Sequence, residues 1–533
     1  MSLPKISPQT HWVLLVLFAV GIFGLIMMPI LLMGYPYDVT NTIRYIRILV
    51  ETKEVTDTST HMLLMILSTL HPLIAWENVT GWVAVGTAAF CASLLPLWWC
   101  IQMLYDRRTA WIATAVFALF PLSWVMARSV GGYGFALFPL FMCFGTFMKF
   151  HTKRPWLAIV LSGIFFGMTM GIQHSYLAFL PWFALAYLWQ QRATLLPALI
   201  RVGVFCAMTY GIFLLPMVPN AFRQDLTPMG TALEILSPMK QVKAGEGHLY
   251  PDEFIYNNYK EEYDEEMRER VAGSSFLKRQ EDRNYRISFG TDEFNLFDRF
   301  STGIWMTLNN IPQFFMMDFM GGVFLWLLII PGIAVTWRTN RALVLYIAGL
   351  IFTMEFILRF VLLFTSSHLS NYLFALAMFA GVGAVSIITK TTKRQVLAAF
   401  LITALVCAQL VQANRKVLAR LYSRSNTTRV YAATEYLKTI PEDSVIASPR
   451  QNYLFILSDR KYVEVHPKTI DFLVERGKLA EPFAELGITH IVGYSQEDEE
   501  AILRVARVEV IDLSDTAKPE LSTFTRYLLN MVR

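Results

Sequence analysis

Residues able to do chemistry fall in a few places in this sequence, each near the end of an apolar run. Asp38, in GYPYDVTNTIRYIRIL, lies just beyond the first run. A carboxylate held at the boundary of lipid and water can take the proton of an acceptor hydroxyl while a lipid-borne donor lies in the membrane. It can also cap the amphipathic helix outlined by Ile43, Ile46, Leu49 and Val50 through its side-chain oxygen, and the two roles are compatible. Arg128 follows the third run in FPLSWVMARSVGGYGFALFPL. A guanidinium offers paired donors to phosphate oxygens, whereas an arginine at a membrane edge often just snorkels to the interface. Gly131, Gly132 and Gly134 beside it permit close backbone approach to a headgroup, or a tight turn and nothing more.

Glu355 and Arg359 stand four apart inside the ninth run, on one helix face, where each can neutralise the other. Ionisable residues within a membrane are costly and point to function by default. Arg359 lies toward the outer end, within reach of a lipid phosphate, with Glu355 holding it from below; the bland alternative is a structural ion pair. His174, in GIQHSYLAFLP, marks a turn between the fifth and sixth runs, and a lone histidine there is more often a packing residue than a catalyst. His368 and Asn371, in SSHLSNYLFAL, enter the tenth run and could line the same cavity. Asp225, Glu234 and Asp318 are candidate second carboxylates, none singled out by spacing. No nucleotide-binding glycine loop, HExxH or GxSxG occurs, which argues against ATP-driven transport and the common protease and esterase sites.

The elements that must position these residues are membrane helices. The 533 residues are 55% hydrophobic and only 16% charged, where a soluble chain carries about 25% charged residues. The apolar residues gather in runs of ~20, the length that crosses ~30 Å of hydrocarbon as helix. Eleven spans are expected, at 11–33, 79–104, 110–125, 133–150, 157–173, 175–190, 197–217, 319–337, 342–364, 371–389 and 395–413. With Lys5 and the N-terminus cytoplasmic, alternate connections are basic: Arg107 and Arg108; Lys149, Lys153 and Arg154; Arg192 and Arg201; Arg338 and Arg341; Lys390, Lys393 and Arg394. That is the positive-inside pattern, and it makes the net charge of +5 a matter of topology, not of nucleic-acid binding. The run His61–Trp76 is short and interrupted by Pro72, which suits an interfacial or re-entrant helix. No cleavable leader is expected, because the first run is long enough to span.

The membrane domain accordingly covers 1–413, with outer loops at 34–78 and 218–318, and a soluble outer domain covers 414–533. Within the long loop, Tyr256–Arg286 reads as a solvated helix with Glu261, Glu262, Glu265 and Glu266 near its start. In the tail, β-like Ser444–Ala447, Tyr462–Val465, Thr489–Gly493 and Val508–Leu513 alternate with helical Ile470–Leu486 and Glu497–Val505, the pattern of a small α/β domain. Cys91, Cys100, Cys143, Cys206 and Cys407 all fall inside spans without metal-ligand spacing and read as packing residues.

On this arrangement the sequence resembles the C-type glycosyltransferase superfamily, and within it the bacterial relatives of dolichyl-phosphate-mannose–protein mannosyltransferases. The matching features are Tyr37–Asp38 in the first outer loop, His71–Pro72–Leu73 before the second span, and Ala127–Arg128–Ser129 after the third. Gly163, Gly167 and Gly171 form a small-residue helix, and Asn371–Tyr372–Leu373 opens a late span. EYLKTIPEDSVIASP at 435–449 and LGITHIVGYS at 486–495 are similar to the outer α/β domain of many such enzymes. The resemblance implies an inverting transferase in a bacterial plasma membrane. Its donor would be a polyprenyl-phosphate sugar drawn from among the membrane lipids, its acceptor a glycan, lipid or protein. Carried over, Asp38 is the acid, Arg128 or Arg359 the phosphate partner, and Tyr37 a cavity residue. The pattern differs at two places: Val39 stands where a second acid often follows, which disfavours a divalent metal at that loop, and Asn371 stands where an arginine is usual. No other cofactor is implied. Two other readings compete. An O-antigen-type polymerase or ligase would depend on loop arginines such as Arg223, Arg268 and Arg270, and a transporter or flippase would be expected to show internal repeats, which are not found.

Overall fold

Helices form here where residues are apolar on every side, and they end where proline, glycine or a capping side chain interrupts. The computed structural model describes residues 7–33, 43, 46–47, 49–50, 61–76, 78–190, 195–217, 253–263, 265–266, 322–360, 372–389, 404–416, 436–449 and 460–511. The first helices are α1 (Pro8–Met33), α2 (His61–Ser68), α3 (Val79–Leu104), α4 (Arg107–Leu119) and α5 (Pro121–Arg128). They are followed by α6 (Gly132–Phe150), α7 (Pro155–Ile172), a 3-10 turn (His174–Phe179), α8 (Leu180–Gln190) and α9 (Leu195–Leu214). The Asn78 side chain accepts the Gly81 N–H at 2.9 Å to start α3, and Asp106 accepts the Thr109 N–H at 2.7 Å to start α4. After the short α10 (Glu253–Asn258), the bundle resumes with α11 (Trp326–Thr339), α12 (Arg341–Phe360) and α13 (Leu373–Thr389), and residues 404–416 are also helical.

Among the described residues, five helices are long and apolar enough to cross a membrane: α1, α3, α6, α7 and α9. The chain is an integral membrane protein. The stretch expected as one span at 110–125 is instead α4 and α5, bent by 65°. The cause is local: Phe120 is extended (φ −58°, ψ 132°), and Pro121 opens α5 without an N–H to bond back into α4. The span expected at 175–190 likewise differs, since it begins with the 3-10 turn and leaves only 11 residues of α-helix in α8. The run from His61 divides into the eight-residue α2 and a 3-10 turn at His71–Leu73 around Pro72.

Close helix approach depends on small residues, as expected where lipid gives helices no hydrophobic reason to associate. A side chain at Gly163 would come within 2.8 Å of Met208 and 3.0 Å of the Phe205 carbonyl, and one at Gly171 would meet Met62 of α2 at 3.0 Å. The stripe noted in the sequence is therefore the seam of α7 with α9 and α2. Gly332 of α11 and Gly383 of α13 meet backbone to backbone, so a methyl group on either would strike the Phe379 or Leu328 carbonyl oxygen. Cys91, Cys100 and Cys143 are buried in the bundle.

The C-terminal region forms a four-stranded parallel sheet in the order β2-β1-β3-β4, from β1 (Val445–Ser448), β2 (Lys461–Glu464), β3 (His490–Val492) and β4 (Glu509–Ile511). Its helices are α14 (Pro467–Glu475), α15 (Ala480–Glu485) and α16 (Gln496–Val505). The helix expected over Ile470–Leu486 breaks in two at Gly477, whose φ of +65° suits glycine. Side chains alternate across the sheet. Ala447 and Ile491 join the core under the helices, with Val510 packed against it, while Ile446, Val492 and Ile511 belong to the apolar cluster that fills the bundle.

In the acidic helix of the long loop Glu261, Glu262 and Glu265 are exposed, as its charges suggest, but its apolar face is covered; residues 267–286 lie outside the described residues. Phe254, Ile255, Tyr259 and Tyr263 are buried in the α/β core. Arg476 bonds Glu266 at 2.7 Å and Glu262 at 3.4 Å, Lys478 lies 4.7 Å from the Tyr259 ring, and the Tyr259 hydroxyl bonds Glu481. The charges follow a helical face that meets an oppositely charged partner distant in sequence, so periodicity within the loop could not disclose them.

Candidate functional site

The site builds outward from Arg128, the last residue of α5. The bend at Phe120–Pro121 directs α5 across the bundle and not along α4, and the guanidinium ends inside the protein, 2% exposed. Its Nη2 donates to the Ile26 carbonyl of α1 at 3.2 Å, and its guanidinium carbon lies 5.6 Å from the centre of the Trp124 ring, one turn back. This corrects the snorkelling alternative: a snorkelling arginine keeps its head in water, and this one is enclosed. The backbone on either side is held by α3. Thr87 donates to the Ala127 carbonyl at 3.1 Å, and a side chain at Gly86 would sit 3.2 Å from the carbonyl oxygens of both Ala127 and Ser129.

Two residues after Ser129 the chain reverses into α6. Gly131 is the N-cap and no side chain caps the helix. A side chain at Gly134 would come within 2.9 Å of the Met126 carbonyl, and one at Gly132 would collide with Gln173 and the Ile172 carbonyl. Gly132 and Gly134 thus serve close approach, Gly132 to the end of α7 and Gln173, and Gly134 to α5. The turn after Gln173 carries His174, which is partly buried, with its ring 5.7 Å from that of His61 and 5.2 Å from that of Phe213. Burial, and then the neighbouring His61, push its pKa from 6.5 down to about 3, so it is neutral. His61 is itself bonded to the Phe213 carbonyl at 2.9 Å. His174 therefore sits neutral between the His61 and Phe213 rings.

Helix α12 packs against the same turn. Trp182 of α8 bonds Thr353, and its ring fills the space that a side chain at Gly349 would need. Glu355 and Arg359 follow Thr353 on α12, so their helical segment runs on from this contact; their side chains lie outside the described part of the structure. Tyr37, Asp38, Val39, His368 and Asn371 lie outside the described residues altogether, as do Asp225, Glu234, Asp318 and the loop arginines Arg223, Arg268 and Arg270. Among the described residues, no group of three His, Cys, Asp or Glu is placed to hold a metal ion. Sequence reasoning passed over Tyr133, Tyr176 and the His61–His174 contact. Tyr176 stood in the quoted motif GIQHSYLAFLP, but only the fold brings it to the start of α6.

The arrangement joins an enclosed cation, a helix N-terminus without a side-chain cap and a turn bearing a histidine and a tyrosine. No protein-family model matches the sequence, and no curated protein matches it. Solved structures do. The oligosaccharyltransferase of Archaeoglobus fulgidus in its apo form aligns over 96% of this chain and 71% of its own, with a TM-score of 0.52 at 12% identity. This chain shares the fold of that archaeal structure. The same archaeal protein, AglB, in complex with an inhibitory peptide and a dolichol-phosphate, aligns over 91% of this chain and 69% of its own, with a TM-score of 0.52 at 13% identity. In its form tethered to an acceptor peptide, this chain spans 64% of its length. ArnT from Cupriavidus metallidurans bound to undecaprenyl phosphate aligns over 95% of this chain and 90% of its own, with a TM-score of 0.49 at 10% identity. At these identities the architecture alone is shared with the archaeal protein, and residue roles rest on this chain's own geometry.

Proposed function

We propose that this protein transfers a sugar from a polyprenyl-phosphate donor to an acceptor at the outer face of a bacterial plasma membrane, with inversion at the anomeric carbon. The observation that carries the reading is the enclosed guanidinium of Arg128 at one end of a C-type bundle. Support for the donor class comes from the archaeal structure of the same fold, solved with a dolichol-phosphate. In the proposed reaction an acceptor hydroxyl attacks the anomeric carbon as the bond from that carbon to the phosphate oxygen breaks. The electron pair leaves with the lipid phosphate, and the hydroxyl proton passes to the Asp38 carboxylate. Arg128, with Arg359, stabilises the charge that grows on the departing phosphate, an electrostatic role that a preorganised cation in a dry site performs well. Because the phosphate is already a good leaving group, no general acid is needed. The reading places the N-terminus in the cytoplasm and the α/β domain outside, in keeping with the basic residues at Arg107, Arg108, Lys149, Lys153, Arg154, Arg338 and Arg341.

The test is to incubate the purified protein with labelled polyprenyl-phosphate sugars and follow release of the lipid phosphate. Asp38→Asn is expected to abolish transfer while the protein stays folded. Full activity in that variant defeats the assignment of Asp38, and failure of the wild type to turn over or bind any lipid phosphate defeats the whole reading.

A further inference from the structure

Tyr176 is fully buried, and among the described residues its hydroxyl has no hydrogen-bond partner; the Nε2 of His174, two residues earlier, is in the same state. Burying a polar atom without a partner costs folding stability, and such atoms in a native protein are exceptions that call for an explanation. A phenylalanine at 176 would keep the ring packed on Phe179, whose centre is 5.5 Å away, and would remove the cost. The hydroxyl is therefore a liability to the fold.

Its position suggests what it is for. The turn His174–Phe179 directly follows Gln173, which meets Gly132 at the start of α6. The 19-residue α6 has no side-chain cap, so its N-terminal end presents a positive dipole. Arg128 lies four residues before that helix begins, and α12 packs on the turn from the other side. A phenol O–H beside a helix N-terminus is a hydrogen-bond donor suited to an oxyanion.

We propose that the Tyr176 hydroxyl is a further ligand-binding group, donating to a phosphate oxygen of the lipid donor at the N-terminus of α6. The inference rests on the function proposed above for the source of the phosphate, though not for its chemistry. The hydroxyl is sealed from solvent here, so binding parts the turn from α6. His174, neutral and on the same turn, is a positioning residue that holds it against α2 and α9.

The experiment uses the full-length protein in detergent, with the variant Tyr176→Phe, and reads two quantities. The first is the thermal midpoint without ligand, expected to be unchanged or higher. The second is the affinity for a short-chain polyprenyl phosphate, expected to fall about ten-fold or more, as for loss of a hydrogen bond to a charged group. Lipid binding by the wild type that Tyr176→Phe leaves intact overturns this inference and spares the proposed function. No lipid binding by the wild type overturns both. A lower thermal midpoint in the variant shows that the hydroxyl has a structural partner and overturns the inference. Competition by inorganic phosphate at concentrations comparable to the lipid overturns the assignment to a lipid headgroup.

Discussion

The His174 environment leads to a pH dependence that can be worked through in numbers. Folded, the imidazole is held neutral, with a pKa of about 3, by burial and by His61; unfolded, it returns to its ordinary 6.5. Between those values the unfolded chain binds the extra proton, so acid favours unfolding. The stability is intact above the unfolded value and is lost as pH falls from there toward the folded one. Each pH step of one below the unfolded value costs about 1.4 kcal/mol, so going from about pH 7.5 to about pH 5 removes roughly 2 kcal/mol. The perturbation is His174→Gln, which removes the titration. The assay is thermal or denaturant unfolding in detergent, followed by the fluorescence of the 13 tryptophans. The variant is expected to be less stable near neutrality, because the ring loses its packing on Phe213, yet to lose about 2 kcal/mol less than the wild type between the two pH values. Parallel pH profiles would refute the reasoning, since they would mean that His174 accepts its proton in the folded state.

The remaining predictions concern packing and the loop anchor. Gly383→Ala drives a methyl group into the Leu328 carbonyl where α11 and α13 cross, and should cost about 1–3 kcal/mol as overpacking, read as a lower thermal midpoint. Gly21→Ala in α1, where nothing lies within 4 Å, should be neutral or slightly stabilising; equal losses in both would dismiss close packing as the cause. Arg476→Glu should speed amide exchange over 253–266 by loosening the loop helix, and Glu262→Arg with Glu266→Arg should restore much of the protection. The pairs are partly exposed, so each is worth only about 0.2–1 kcal/mol and the effect should shrink in high salt. Arg128→Gln should weaken lipid-phosphate binding and lower stability together, because the guanidinium bonds α1 and belongs to the proposed phosphate site; a change in stability alone would make it purely structural.

Several features could be read in one dimension because they are set by composition and local period. Long apolar runs admit only helices in lipid, which is why Val79–Leu104 was placed to the residue and α6, α7 and α9 within two or three. The small α/β domain was equally readable, since its strands and helices alternate in type over short distances. Local chemistry sufficed there because the same neighbours that signal an element also stabilise it.

Other features depended on what the chain meets elsewhere. The glycines after Arg128 looked able to admit a headgroup, yet Gly132 meets the end of α7 and Gly134 meets Met126 of α5. The acidic loop helix is solvated at Glu261, Glu262 and Glu265 as its charges suggest, yet its other face completes the α/β core through Tyr259 and Tyr263 and is fastened by Arg476, some two hundred residues away. Arg128 looked exposed at a membrane edge, yet the bend at Pro121 sends it inward to α1. Sequence by itself determined that this chain lies in a membrane as helices and ends in an α/β domain, because hydrophobic pattern acts locally. Tertiary structure alone decided which polar groups are enclosed, paired or left without a partner, because those outcomes depend on surfaces brought together from distant parts of the chain.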